Sequence, residues 1–169
     1  MKPQIYKSLM DVTIAKTNGR RLAIWSALIG ILIAYVLFGW IVYSWDKNVS
    51  EAIFWIFDVE FWYHLVIGTI GLLAMAYFFG QLAGVEILVK RKNEFLVGVK
   101  YGFIILLTGT LIGSTVGFVQ EGIDDIGGFS NPFYDYYFKP VYWVMIFGTI
   151  PTILIGLWFG WQIKRTGTA

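Results

Sequence analysis

Residues 101–120 read Tyr-Gly-Phe-Ile-Ile-Leu-Leu-Thr-Gly-Thr-Leu-Ile-Gly-Ser-Thr-Val-Gly-Phe-Val-Gln, twenty positions without a charge. At about 1.5 Å of rise per residue, a helix of this length covers about 30 Å, the thickness of a bilayer's hydrocarbon core. Hydrocarbon offers no water to an unpaired backbone group, so a single stretch of this kind crosses as a helix or not at all. Its glycines recur every fourth residue as Gly109, Gly113 and Gly117. They share one face, on which a second backbone can come close.

Working outward, three more uncharged stretches reach spanning length, residues 22–45, 61–85 and 141–163. The 169-residue chain is 57% hydrophobic, 19% aromatic and only 14% charged, with a mean hydropathy of +0.67. A soluble domain carries about 25% charged residues, so a water-soluble globule is excluded. Nothing alternates with the period of a lipid-facing β-barrel. The first stretch is too long for a cleavable signal peptide and follows a polar segment of about 20 residues. The expected fold is an all-α integral membrane protein, one polytopic domain over residues 1–169 built as a four-transmembrane-helix bundle.

Basic residues orient it. Lys2, Lys7, Lys16, Arg20 and Arg21 precede the first span, Lys90, Arg91, Lys92 and Lys100 lie between the second and third, and Lys164 and Arg165 follow the fourth. Only Lys47 and Lys139 fall on the other side. By the positive-inside rule both termini are cytoplasmic, an N-in, C-in arrangement expected of a bacterial cytoplasmic membrane protein. Trp40, Tyr43, Trp45, Trp62, Tyr63, Tyr142 and Trp143 then fall at the outer headgroup level, where aromatic rings anchor.

Between the spans, residues 49–57 are too short to cross and too apolar for water, which predicts a short interfacial helix started by the capping pair Asn48 and Glu51, or a one-turn extension of the second span. Residues 121–139 are expected as an outer loop, with turns at Gly127-Gly128 and Asn131-Pro132 and an aromatic run at the membrane surface. Residues 4–15 carry a weak amphipathic pattern. Shifting the chain by 80 residues sets Gly68-Thr69-Ile70 on Gly148-Thr149-Ile150 and Phe79-Gly80 on Phe159-Gly160. That raises the alternative of two parallel hairpin repeats beside chance coincidence of common residues.

Little chemistry is encoded. There is no cysteine and one histidine, so a thiolate site, a three-histidine zinc site and bis-histidine haem ligation within one copy are all excluded. Glu121, Asp124 and Asp125 lack the spacing of a calcium loop and read as a solvated acidic cluster. No nucleophile elbow or phosphate loop is present, and no catalytic, cofactor or metal residue is expected. A net charge of +2 gives nucleic acid no footprint. His64, at the mouth of span two, reads as a hydrogen-bonded interfacial histidine, with pH sensing as the alternative.

Two patterns remain. Gly80 and Gly84, Gly109, Gly113 and Gly117, and Gly156 and Gly160 are the expected helix-packing residues. Gln81, Glu86, Lys100, Thr108 and Thr110 are the candidates that could extend a polar path from the cytoplasmic side, and Pro151 is the one candidate for a broken helix. No span has a charge at its centre, which favours an accessory or scaffold subunit binding another membrane protein, or a second copy, through its small-residue faces. The alternative is an oligomeric channel or transporter for ions or small solutes. A lipid or quinone held between helices is compatible with both.

Overall fold

The computed structural model describes residues 3–58, 62–123, 126 and 131–167. Within them the chain is all-helical, 93% helix with no strand. Its elements are α1 (Pro3–Asp46), α2 (Val49–Asp58), α3 (Trp62–Gly84), α4 (Glu94–Gly117) and α5 (Lys139–Gly167). Single π-helical turns extend α3 over Val85–Val89 and α4 over Phe118–Gly122, and another precedes α5 over Tyr134–Phe138. Four helical stretches are long and apolar enough to cross a membrane: Val12–Trp45, His64–Val89, Glu94–Gln120 and Tyr134–Gly167.

Each stretch contains most of an expected span and extends beyond it. Hydropathy marks where side chains turn polar, whereas a helix continues until its backbone is capped. Residues 4–15 are therefore not a separate surface helix; they continue into α1, whose 44 residues make a rod of about 66 Å. The expected outer loop of residues 121–139 closes early for the same reason. Asn131 Oδ1 accepts from the Tyr134 amide at 3.2 Å, its carbonyl accepts from Asp135 N at 3.0 Å, and Pro132 takes the first helical position. The aromatic run thus becomes the first turns of the last helix, where Phe118 of the α4 extension packs on Phe133 and Tyr137 with ring centroids 4.9 and 5.4 Å away. Asp124, Asp125 and Gly127-Gly128 lie outside the described residues, as does the side chain of Glu121.

The segment after α1 forms a short helix of its own, α2. Asn48 Oδ1 accepts from Ser50 N at 3.0 Å while its Nδ2 donates to Glu51 at 2.7 Å. Tyr35 donates to the Ile53 carbonyl, fastening α2 to α1. The turn between α3 and α4 is tight: Arg91 takes a left-handed φ of 53°, and Asn93 caps α4 by accepting from Phe95 N and Leu96 N at 3.0 and 3.1 Å. Pro151 breaks nothing, since α5 runs through it as one helix.

Neighbours along the chain pair in space. α1 packs on α3, α3 on α4 and α4 on α5, and α5 returns to α1 along a looser seam. Small residues close the first three seams. On the α1–α3 side, a side-chain carbon on Gly80 would strike Ala23 and Gly19, and one on Gly84 would strike Ala15. On the α4–α5 side, Gly98 meets the Gly156 carbonyl and Gly160 the Glu94 carbonyl with no room for a methyl. Between α3 and α4, an added carbon on Gly113 would sit 3.2 Å from Gly68 Cα, and one on Gly109 would sit 2.8 Å from Leu72. The tightest contacts are therefore at the α1–α3 and α4–α5 seams, not on the Gly109–Gly117 face of α4.

Buried apolar residues concentrate at one end. Ala23, Ala76, Ala83, Ile87, Val97, Tyr101, Ile105, Phe159 and Ile163 form the core, all in the half of the bundle nearest the basic loop and tail. Large side chains such as Leu32, Ile70, Leu96, Ile150 and Leu154 are exposed on the outside. An apolar exterior around a small-residue interior is the reverse of a soluble bundle and suits lipid as solvent.

Candidate functional site

The sequence reading placed seven glycines at helix contacts, and each has a neighbour from another helical segment. Gly80 and Gly84 meet α1, Gly109 and Gly113 meet α3, and Gly156 and Gly160 meet α4. Gly117 faces Tyr136, 3.0 Å from where its side chain would begin. These faces are filled from within the chain. Gly98, Gly102, Gly109 and Gly113, spaced by four, seven and four residues, share one stripe of α4. Its basic-end half serves α5 and its other half α3.

The polar residues within the spans are also occupied, and mostly locally. Thr108 donates to the Ile104 carbonyl at 2.6 Å and Thr110 to Leu106 at 2.8 Å. Gln81 reaches only back to the Tyr77 carbonyl, at 3.4 Å. Glu86, its side chain 14% exposed, holds Lys100 at 3.0 Å and Lys92 at 3.3 Å, and Glu94 holds Lys164 at 2.6 Å. These ion pairs tie the ends of α3, α4 and α5 at the basic end, where Arg20 also donates to Tyr77 at 2.9 Å. At the opposite end His64 Nε2 lies 2.6 Å from Gln120 Oε1. That is a bond from α3 to the extension of α4, and an Nε2–H donor makes it whether the ring is neutral or charged. Among the described residues no three histidine, aspartate or glutamate side chains converge as metal ligands would.

What remains is the loose seam. A cleft of about 560 Å³ enters the bundle between α1 and α5, with α4 and Leu72 of α3 behind it. Its α1 wall is set by Ala23, Ala27, Gly30 and Ala34, spaced by four, three and four residues, a stripe along one helix face. Its α5 wall carries Phe147, Gly148, Pro151, Ile155 and Phe159. Ala23 packs against Gly80 of α3, whereas Gly30 faces only the Ile155 side chain of α5 and no opposing backbone, and there the seam opens. From Ala23 to Ile41 the cleft runs about 27 Å along α1. α1 and α5 still touch, since a side chain on Gly30 would meet Ile155 at 3.3 Å and the Phe38 and Phe147 rings lie 6.0 Å apart. No third helix fits between them.

The lining has no charged residue. Ser26 and Thr152 are its hydroxyl residues; Ser26 is only 6% exposed, and its Oγ is shut off from the open space and has no hydrogen-bond partner. Ser44, Thr108, Thr110, Thr115 and Thr149 all turn back onto carbonyls of their own helices; Ser26 does not. A buried hydroxyl left unpaired costs about 1–3 kcal/mol. The sequence reading missed this site, although the heptad-spaced small residues of α1 were its visible signal.

The fold and this site define a class: a small all-helical protein with four membrane-length helices and an apolar cleft between the first and the last. No protein-family model, curated protein or solved structure matches the chain.

Proposed function

We propose that the protein is an accessory subunit of the membrane that works by binding, presenting the α1–α5 face to another membrane component while the rest of the bundle serves as scaffold. It sits in a bacterial cytoplasmic membrane with both termini in the cytoplasm, as the basic asymmetry argues. The observation that carries this reading is the contrast among the four seams: three are closed by glycine and alanine contacts, and one is held open along an apolar cleft. A conductor needs a polar path, and the Thr108 and Thr110 hydroxyls that could extend one from the cytoplasmic side are bonded to their own helix.

The test is site-specific photo-cross-linking in native membranes. A benzophenone side chain at Leu37, on the lip of the cleft, is expected to give one dominant adduct. The same group at Leu111, on the lipid-exposed side of α4, is expected to give only diffuse lipid labelling. Equal labelling at both positions would remove the assigned face. Flux through proteoliposomes holding the purified protein, abolished by Gln81→Leu, would establish conduction instead.

A further inference from the structure

We infer that the exposed side of the α1–α3 seam, at the basic end, binds the phosphodiester headgroup of an anionic phospholipid through Arg20, Tyr77 and Lys16. This site is separate from the face proposed above, since none of the three residues lines the α1–α5 cleft. Because the basic residues gather at one end, that end meets a headgroup layer whichever way the chain spans a bilayer.

The seam brings the groups together. Gly19 meets the Gly80 carbonyl, and a side-chain carbon on Gly80 would sit 3.2 Å from Arg20 Cα, so the two backbones touch at this level. Arg20 reaches across to α3, where its Nη1 donates to Tyr77 Oη at 2.9 Å and its guanidinium carbon lies 5.0 Å from the ring centroid. Lys16, exposed, stands one turn before Arg20 on the same face of α1. Gln81 stands one turn after Tyr77, its Nε2 held only by the Tyr77 carbonyl at 3.4 Å.

These groups are donors without a carboxylate. Among the described side chains of this end, Glu86 is taken by Lys92 and Lys100, and Glu94 by Lys164. Tyr77 accepts from Arg20 and keeps its own O–H to donate. The guanidinium uses one of its five N–H groups on Tyr77, and its planar fork suits two oxygens of one phosphate. A zwitterionic head would bring its ammonium against Arg20 and Lys16, whereas a glycerol head carries no such charge.

The face of α3 assigns that phosphate to a lipid. Gln81, Tyr77, Ala74, Ile70 and Val66 follow one another at intervals of four, three, four and four residues, a single stripe. Ala74, Ile70 and Val66 are exposed, Ile70 by 61%. From Tyr77 to Val66 the stripe runs about 16 Å, the reach of an acyl chain from its headgroup to the midplane, about 15 Å. A soluble phosphate would leave that apolar track unused.

The experiment uses the full-length protein, delipidated in mild detergent, with native mass spectrometry and thermal unfolding as readouts. The probes are dioleoyl phosphatidylglycerol, dioleoyl phosphatidylcholine and soluble glycerol 3-phosphate. Phosphatidylglycerol is expected to be retained and to raise the unfolding temperature, with phosphatidylcholine at least tenfold weaker and glycerol 3-phosphate without effect. Arg20→Gln and Tyr77→Phe are each expected to weaken phosphatidylglycerol about tenfold, the worth of a hydrogen bond to a charged group. Arg21→Gln, which removes the same charge from an exposed neighbour, is expected to bind as wild type.

Equal retention of the two lipids, or equal losses from Arg20→Gln and Arg21→Gln, overturns the site in favour of general charge attraction. A Tyr77→Phe protein that binds as wild type overturns it as well. Glycerol 3-phosphate that stabilises as strongly as the lipid overturns the lipid assignment. None of these outcomes alters the cross-link expected from Leu37, so the two readings stand or fall separately.

Discussion

At the residue scale, the question is which glycines the bundle cannot do without. The repeat Gly109-Gly113-Gly117 is the most regular pattern in the sequence, yet a methyl on Gly113 would sit 3.2 Å from Gly68 Cα, a clash of a few tenths of an ångström. A methyl on Gly160 would overlap the Glu94 carbonyl outright. Gly160→Ala is therefore expected to destabilise the protein by about 1–3 kcal/mol through overpacking, and Gly113→Ala by clearly less. Unfolding of the two variants in one detergent decides it, and the reverse order would mean the α4–α5 seam is looser than described. Glycine spacing made helix contacts legible without ranking them, because rank depends on what faces each glycine. The receiving side was harder still. Ala15 and Gly19 lie among Lys16, Arg20 and Arg21, in a segment whose polarity marks it as outside the bilayer, so their small-residue spacing stood apart from any span.

At the scale of elements, the existence of all four long helices was legible because twenty uncharged residues admit no other structure in hydrocarbon. Their ends were not. Helix ends are set by capping groups, and a cap such as Asn93 carries no hydropathy signal. With two amides bonded to its side chain, Asn93 fixes where α4 begins and, with Arg91 at positive φ, how the chain turns from α3. Asn93→Ala is expected to cost about 1 kcal/mol and Asn93→Gly only a few tenths, measured by reversible unfolding in micelles. Equal losses for the two would show that the turn, not the cap, carries the effect. The α1–α5 cleft was hidden for a related reason: an unfilled space is a property of two faces meeting, and the small-residue stripe of α1 would read the same had another helix closed on it.

For the whole molecule, orientation is the property to establish, and the absence of cysteine from the chain makes it measurable without background. Cysteines placed at Lys92 and Thr168 are expected to be shielded from an impermeant thiol reagent in intact cells, and one at Asp125 is expected to be labelled; labelling at Lys92 before lysis would invert the protein. The long first helix adds a mechanical property. Ala15, Gly19 and Ala23 pin α1 against α3 near its basic end, and the seam with α5 has no comparable clasp. From Gly19 to Trp40 the rod extends about 31 Å, so a swing of roughly 5° about the pinned point moves the tryptophan by about 3 Å. α1 is then a lever with a short arm in the basic segment and a long arm along the cleft. A displacement of residues 3–15 would therefore be enlarged, not reduced, at the far lip of the slot.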